Sequence, residues 1–334
     1  MHLTLSLGGG GSGVPDARAM QAAVRAAERG KLDAVLIGVG GTGGTRFDPL
    51  PLMGSMIGIT QRIGLAASWT VDFTEPYHVA RVFATLDHLS YGRSAWFVDM
   101  FGTERLLPLI GKPKEAGDTT AYCARAGEFI TVVKALWDSW EDAGFALDKA
   151  TGMFADPDRV HPIDHAGRFF TVRGPLNVPR PPQGVPPLIM CDAADDTARA
   201  FVARTADIIL TDDASAECDC ALRALADGRD VRVLTNLRCI LGETEAAARH
   251  RAAALSASAS DCFIGTPAQL VDRFGSCTSD GFNLLTDDTD LLIGVAIPLA
   301  QRAGLVREEY LGTTLREHFG LHRPRSQFTP EDAA

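Results

Sequence analysis

Two glycine clusters, a histidine pair and several groups of aspartates are the residues here whose types and spacing could do chemistry. Gly38-Val-Gly40-Gly-Thr-Gly43 follows the apolar stretch Asp33–Ile37 and matches G-x-G-x-x-G, in which backbone amides reach a pyrophosphate at a helix N-terminus. Phe47-Asp-Pro-Leu-Pro51 comes next instead of a helix start, and no acidic residue closes a later strand at the expected distance. A barrel-mouth loop is therefore the better reading. Gly8-Gly-Gly-Gly-Ser-Gly13 lacks the Lys-Ser/Thr of a P-loop and reads as a pliant loop near a ligand. His161-Pro-Ile-Asp164-His165 has metal-ligand residue types, but Pro162 excludes the helix that would align the imidazoles. A structural loop is expected. Cys218-Asp-Cys220 falls in a helix where the two thiols point apart, and it is read as inert. Asp87-His88 could relay a proton, although a helix-end histidine satisfied by local hydrogen bonds is commoner. Asp287-Asp288 and Asp290 read as a solvated loop and helix cap.

The elements that must position these groups alternate along the chain. Short apolar runs begin near Leu3, Asp33, Ile63, Ser94, Pro187, Asp207, Val231 and Gly281, and a helical pattern follows each of them. The longest helix is expected over Thr119–Ala143, with Phe129, Val132, Val133, Leu136, Trp137 and Trp140 at helical spacing. Residues 151–186, rich in Pro, Gly and His, read as a loop with a small hairpin around Arg168–Val172. Eight strand–helix units over residues 1–334, with no second change of composition, predict one α/β domain, a closed (β/α)₈ TIM barrel or a large doubly wound sheet.

Composition narrows the partners. With 42 acidic against 32 basic residues the net charge is −10, and no basic stripe with interleaved aromatics stands out. Neither nucleic acid nor an anionic membrane is the expected partner. No apolar run reaches the roughly 18 residues of a membrane span, and the N-terminus has no basic region of a signal peptide. Seven scattered cysteines fit reduced thiols in a cytoplasmic protein better than a disulfide framework.

Longer stretches carry a family signature. Glu75-Pro-Tyr-His-Val-Ala-Arg-Val-Phe-Ala-Thr-Leu-Asp-His-Leu-Ser-Tyr-Gly-Arg93, Phe154-Ala-Asp-Pro-Asp-Arg-Val-His161, Val172-Arg-Gly-Pro-Leu-Asn-Val-Pro-Arg180 and Gly312-Thr-Thr-Leu-Arg316 resemble the bacterial luciferase-like flavin monooxygenases. Within that superfamily they are most similar to the nitrilotriacetate, dibenzothiophene-sulfone and pristinamycin-type branch. The resemblance runs in order from about residue 20 to 324. It implies a TIM barrel, a homodimer, and reduced FMN received from a separate reductase and used with O₂ to oxygenate a small organic substrate.

Carried over residue by residue, the resemblance puts cofactor-binding groups at Gly38, Ser68, Asp99, Tyr122 and Asp195. Relatives end the second strand with an Ala-Asp pair where this chain has Gly38-Val39, and Ser68 occupies the Ser/Thr position that faces the ring. The fourth strand reads Trp96-Phe-Val-Asp-Met-Phe101 instead of Trp-Asn-Val-Val-Thr-Ser. Tyr122 keeps a hydroxyl that relatives aim at the phosphate. The phosphate cradle Gln-Ala-Gly is replaced by Met190-Cys-Asp-Ala-Ala-Asp-Asp196, whose carboxylates would repel a phosphate. The chain is also shorter than those relatives in the loops that cover the ligand. Three readings stay open: a working two-component FMN monooxygenase, a barrel that has lost flavin and serves as a non-catalytic subunit, or a barrel using another ligand. In the last, Asp99, Asp192, Asp195 and Asp196 would act as acid/base groups or hard-cation ligands.

Overall fold

Eight short apolar runs, each able to be buried on both faces, pair in parallel and close on themselves. The computed structural model describes residues 1–7, 16–39, 47–100, 118–257 and 262–328. The strands are β1 (His2–Leu7), β2 (Ala34–Ile37), β3 (Gly64–Thr70), β4 (Ser94–Asp99), β5 (Leu188–Cys191), β6 (Ile208–Thr211), β7 (Arg232–Leu241) and β8 (Gly281–Thr286). Each pairs with the next in chain order, and Leu5 lies beside both Val35 of β2 and Leu284 of β8, which closes the cylinder. The barrel, rather than the open doubly wound sheet, is therefore the architecture.

Helices α1 (Ala17–Arg29), α2 (Pro49–Ile57), α3 (Pro76–Ser90), α4 (Thr119–Trp137), α5 (Asp196–Thr205), α6 (Ala216–Leu225), α7 (Glu245–Ala254) and α8 (Pro267–Gly275) accompany the strands. A last helical run follows β8 as Thr289–Leu291, a π-helical turn Leu292–Ala296, and Ile297–Arg302. Among the described residues no helix is long and apolar enough to cross a membrane.

Strand residues alternate between two cores, as the pleat requires. Ala34, Leu36, Ala66, Ala95, Phe97, Ile189, Leu210 and Leu234 fill the barrel interior. Their neighbours Val35, Leu65, Trp96, Ile209 and Val233 face the helices. Trp96 anchors that outer layer, with its ring 5.7 Å from Phe83, 6.2 Å from Phe129 and 6.5 Å from Trp137.

Three local expectations need correcting. Helix α4 stops at Trp137 rather than Ala143, because Asp138 is drawn out to Arg180 at 2.8 Å and Ser139 Oγ turns back to the Leu136 carbonyl at 2.7 Å. The hairpin near residue 168 exists as His165–Ala166 against Thr171–Val172, but a second, Phe145–Asp148 against Met153–Ala155, precedes it. A short strand, Phe263–Gly265, extends the outer end of β7.

The Gly312–Arg316 motif turns out to close the N-terminal end of the barrel. Thr314 and Glu317 form a capping box on the short helix Leu315–His318, and Leu315, Phe319 and Leu321 join the interior core. A Cβ on Gly64 would lie 2.2 Å from Leu315 Cδ1, so glycine is required where the plug enters. His318 stacks on Tyr310 at 4.8 Å, and its buried Nε2 has no hydrogen-bond partner among the described residues. Burial, then the Arg307 guanidinium, hold this imidazole neutral to lower pH than usual. Its contribution is therefore full above the ordinary histidine value of about 6.5 and is lost as pH falls through the depressed one. The melting temperature is expected to fall more steeply below pH 6.5 in the wild type than in His318→Phe. Parallel pH curves would refute this.

Candidate active site at the barrel mouth

The pleat that buries apolar residues inside the barrel brings polar ones to its C-terminal mouth, where β/α barrels carry their sites. Ser68 and Thr70 rise from β3, Asp99 from the end of β4, Cys191 from β5, Asn236 and Arg238 from β7, and Asn283 from β8. Asp99 pairs in register with Thr70, and the β4–β5 pairing Phe97–Ile189 brings Cys191 to its other side. Burial pushes the Cys191 thiol up to about 12, helped by Asp212, Asp99 and Asp192, so three carboxylates act on one point.

A hydrogen-bonded belt, buried at Thr4, Ser6 and Asn283, crosses the interior and ends at exposed Asp212. Thr4 Oγ1 and Ser6 Oγ donate to Asn283 Oδ1 at 2.9 and 3.1 Å. Asn283 Nδ2 donates to Asn236 Oδ1 at 2.8 Å, and Asn236 Nδ2 to Asp212 Oδ1 at 2.8 Å. The chain of amides fixes both amide orientations and aims the Asp212 carboxylate at the mouth. Arg238, half-buried two residues beyond Asn236, has no hydrogen bond or ion pair to any described residue.

All five residues singled out from the sequence lie at this end of the barrel. Gly38 follows β2 with φ +81°, and a Cβ there would lie 2.6 Å from Pro49 Cγ and 3.2 Å from Ser68 Cβ. Only glycine therefore allows β2, α2 and β3 to meet so closely. Ser68 is buried, yet its hydroxyl makes no hydrogen bond with any described residue, so it is an open polar group on the mouth floor. Tyr122, in the first turn of α4, shares its hydroxyl between the Met100 carbonyl at 2.9 Å and Asp72 Oδ2 at 3.0 Å. Burial, Asp72 and Asp99 all raise its pKa. Asp195 is the N-cap of α5 and accepts from the Ala198 amide at 2.9 Å. The structure thus joins Gly38 with Ser68 and Asp99 with Tyr122, whereas Asp195 is turned onto its own helix.

The aspartates after β5 do not converge as the third reading required. Asp192 pairs with Arg199 at 3.1 Å and takes the Ala193 amide at 2.8 Å, and Asp195 caps α5. Among the described residues no group of three His, Cys, Asp or Glu could hold a metal ion. Buried Cys218 lies 2.9 Å from Arg199 Nη2 and 3.5 Å from Thr211 Oγ1, while Cys220 is exposed, so the two thiols do point apart. His161 meets Glu141 at 2.9 Å and stacks on Phe328, and His165 meets Glu128 at 3.1 Å, so the histidines serve the loop. Asp87 is buried under donors from Ser94 and Gln183, and His88 meets the Pro179 carbonyl, so they tie α3 to the barrel. Asp287 and Asp288 grip Arg251 at 3.0 and 2.5 Å, and Asp288 also caps Leu291 at 2.8 Å, so that loop is less solvated than expected. Residues 8–13 and 40–43 of the two glycine motifs lie outside the described residues.

Sequence reasoning missed Asp212, Asn236, Arg238 and Asn283. The available signal was parity: Asn236 and Arg238 share the inward parity of Leu234, just as Asn283 sits one residue from outward-facing Phe282 and Leu284.

A flavin mononucleotide has two ends to satisfy here. The open Ser68 hydroxyl beside Gly38 suits a flat polar ring edge. At α5 the Ala198 amide that a phosphate would need is already taken by the Asp195 carboxylate. Among the described residues the phosphate end does not fit.

Comparison with known proteins agrees with the barrel. The family model for luciferase-like monooxygenases matches residues 1–276. N-acetyl-S-(2-succino)cysteine monooxygenase of Bacillus subtilis is 31% identical, covering 91% of this chain and 90% of that protein. Dibenzothiophene-sulfone monooxygenase of Rhodococcus erythropolis is 30% identical over 88% of this chain and 83% of its own length. The solved structure of EDTA monooxygenase from Chelativorans sp. BNC1 superimposes with a TM-score of 0.82 at 25% identity, covering 97% of this chain and 98% of that one. With more than half of its length matched by that family model, and relatives of 30% identity or more matched over most of theirs, this chain belongs to the luciferase-like monooxygenase family.

Proposed function

We propose that this protein is a flavin-dependent monooxygenase that oxygenates a small organic substrate at the barrel mouth, using reduced flavin supplied by a separate reductase. The observation that carries the reading is a family barrel whose C-terminal mouth keeps a hydroxyl, Ser68, beside Gly38 and without a hydrogen-bond partner among the described residues. The flavin would supply the oxygen-activating chemistry. The chain's own part is to offer Ser68 to a ring edge and to set the charge of the pocket with Asp99 and Asp212. We read residues 1–334 as one barrel domain with an insertion at about 151–186, acting as a homodimer.

A second reading, a non-catalytic barrel without flavin, draws on the self-capped α5. Titration of the purified protein with flavin separates the two. Quenching of flavin fluorescence, together with substrate-dependent O₂ uptake when a reductase and NADH are added, is the expected result. Absence of quenching by any flavin would overturn the first reading in favour of the second.

A further inference from the structure

We propose that the mouth of this barrel is built to take flavin without its phosphate, with Asp195 as the residue that sets this preference. The proposal rests on the flavin reading above and concerns which flavin that site selects.

A helix N-terminus attracts anions because its first amides lack partners within the helix. Of the first amides of α5, Ala198 N is spent on the chain's own Asp195 carboxylate, and in the turn before the helix Ala193 N donates to Asp192. An internal anion therefore occupies the ground a phosphate would need. Asp196, exposed in the first turn of α5, adds another negative charge.

Among the described residues the opposite wall offers nothing to offset this. Helix α4 is capped by Asp118, which accepts from Thr120 N at 3.0 Å. Burial, then Asp195 and Asp118, push the Cys123 thiol up. The Tyr122 hydroxyl is held by Asp72 and the Met100 carbonyl. The described cations beside it, Arg199 and Arg125, are likewise committed. Arg199 lies on Asp192 and Cys218, and Arg125 reaches Asp72 at 3.6 Å and the Val71 carbonyl at 3.2 Å. Each close carboxylate–phosphate pair weakens binding by roughly fivefold even in water, and more where water is excluded. The ring end has no such obstacle, since Ser68 is open and Gly38 presents no side chain.

The test is a fluorescence titration of the full chain with riboflavin and with FMN at low ionic strength, on wild type, Asp195→Ser and Asp195→Asn. Serine and asparagine are both good N-caps, so α5 is retained while the charge is removed. Wild type is expected to bind riboflavin at least as tightly as FMN. Both variants should tighten FMN by about tenfold and leave riboflavin unchanged, and added salt should improve FMN binding to wild type by screening the repulsion. Wild type holding FMN tenfold tighter than riboflavin, with the phosphate seated on Arg238 instead, would overturn the proposal. So would variants that leave the FMN-to-riboflavin ratio unaltered. Both of those results spare the flavin reading, whereas failure of either flavin to bind any of the three proteins overturns both.

Discussion

Arg316→Met is expected to cost about 3–5 kcal/mol of stability, as removing one partner of a buried ion pair generally does. Arg316 is buried under the barrel, where Nε donates to the Val185 carbonyl at 2.6 Å, Nη1 to the His322 carbonyl at 3.2 Å, and Nη2 to Asp207 Oδ2 at 3.3 Å. Asp207 in turn accepts the Leu188 amide that begins β5 and, at longer range, Arg229. Methionine fills the volume but leaves the Asp207 carboxylate with the Leu188 amide and, as its counter-charge, the more distant Arg229, and frees two carbonyls. At roughly 2–4 °C per kcal/mol, the melting temperature should drop on the order of 10 °C. The lesion sits at the opposite end of the strands from Ser68 and Asp99, so flavin quenching measured well below the transition should be unchanged. A melting temperature within a degree or two of wild type would show that the plug does not hold the barrel closed.

That plug also illustrates what the sequence could and could not disclose. The strands were legible because each is a short apolar run bounded by Gly, Pro or Asp, and a run buried on both faces needs no partner to be recognised. The end of α4 was not, since Trp137 to Ala143 keeps a helical pattern and only Arg180, 42 residues beyond Asp138, pulls the chain out of it. The hairpin at Phe145–Asp148 escaped for the converse reason: all four residues are exposed, so no alternation marks them. Gly312–Arg316 was recognised as a family motif, yet its purpose depends on Gly64, which is remote in sequence.

The site divides in the same way. Gly38, Ser68, Asp99, Tyr122 and Asp195 could be located because strand ends and helix starts fix which residues border a barrel mouth. What Tyr122 does there was hidden, because its hydroxyl is turned by Asp72, a partner 50 residues away that spacing does not reveal. Asn236 and Asn283 were missed because an isolated polar residue in a strand reads as solvent-facing, whereas these two point into the barrel and pair with each other.

The belt they form supplies the second large effect. Asn283→Leu removes the acceptor of Thr4 and Ser6 and the donor to Asn236, leaving three polar groups unpaired around a residue that is 1% exposed. At about 1–3 kcal/mol for each buried group left without a partner, and with partial relaxation, a loss of about 3–5 kcal/mol is expected. Asn236 would also lose the bond that fixes its amide, so its donation to Asp212 at 2.8 Å would loosen. Asn283→Leu should therefore lower both the melting temperature and the affinity for a ligand at the mouth. Asp212→Asn, which leaves the Thr4–Ser6–Asn283 part of the belt intact, should alter ligand affinity with little change in melting temperature. If Asn283→Leu melts like wild type, the belt is not what orders the barrel interior. If it is destabilised but binds ligand unchanged, the belt supports the fold alone and Asp212 is placed without it.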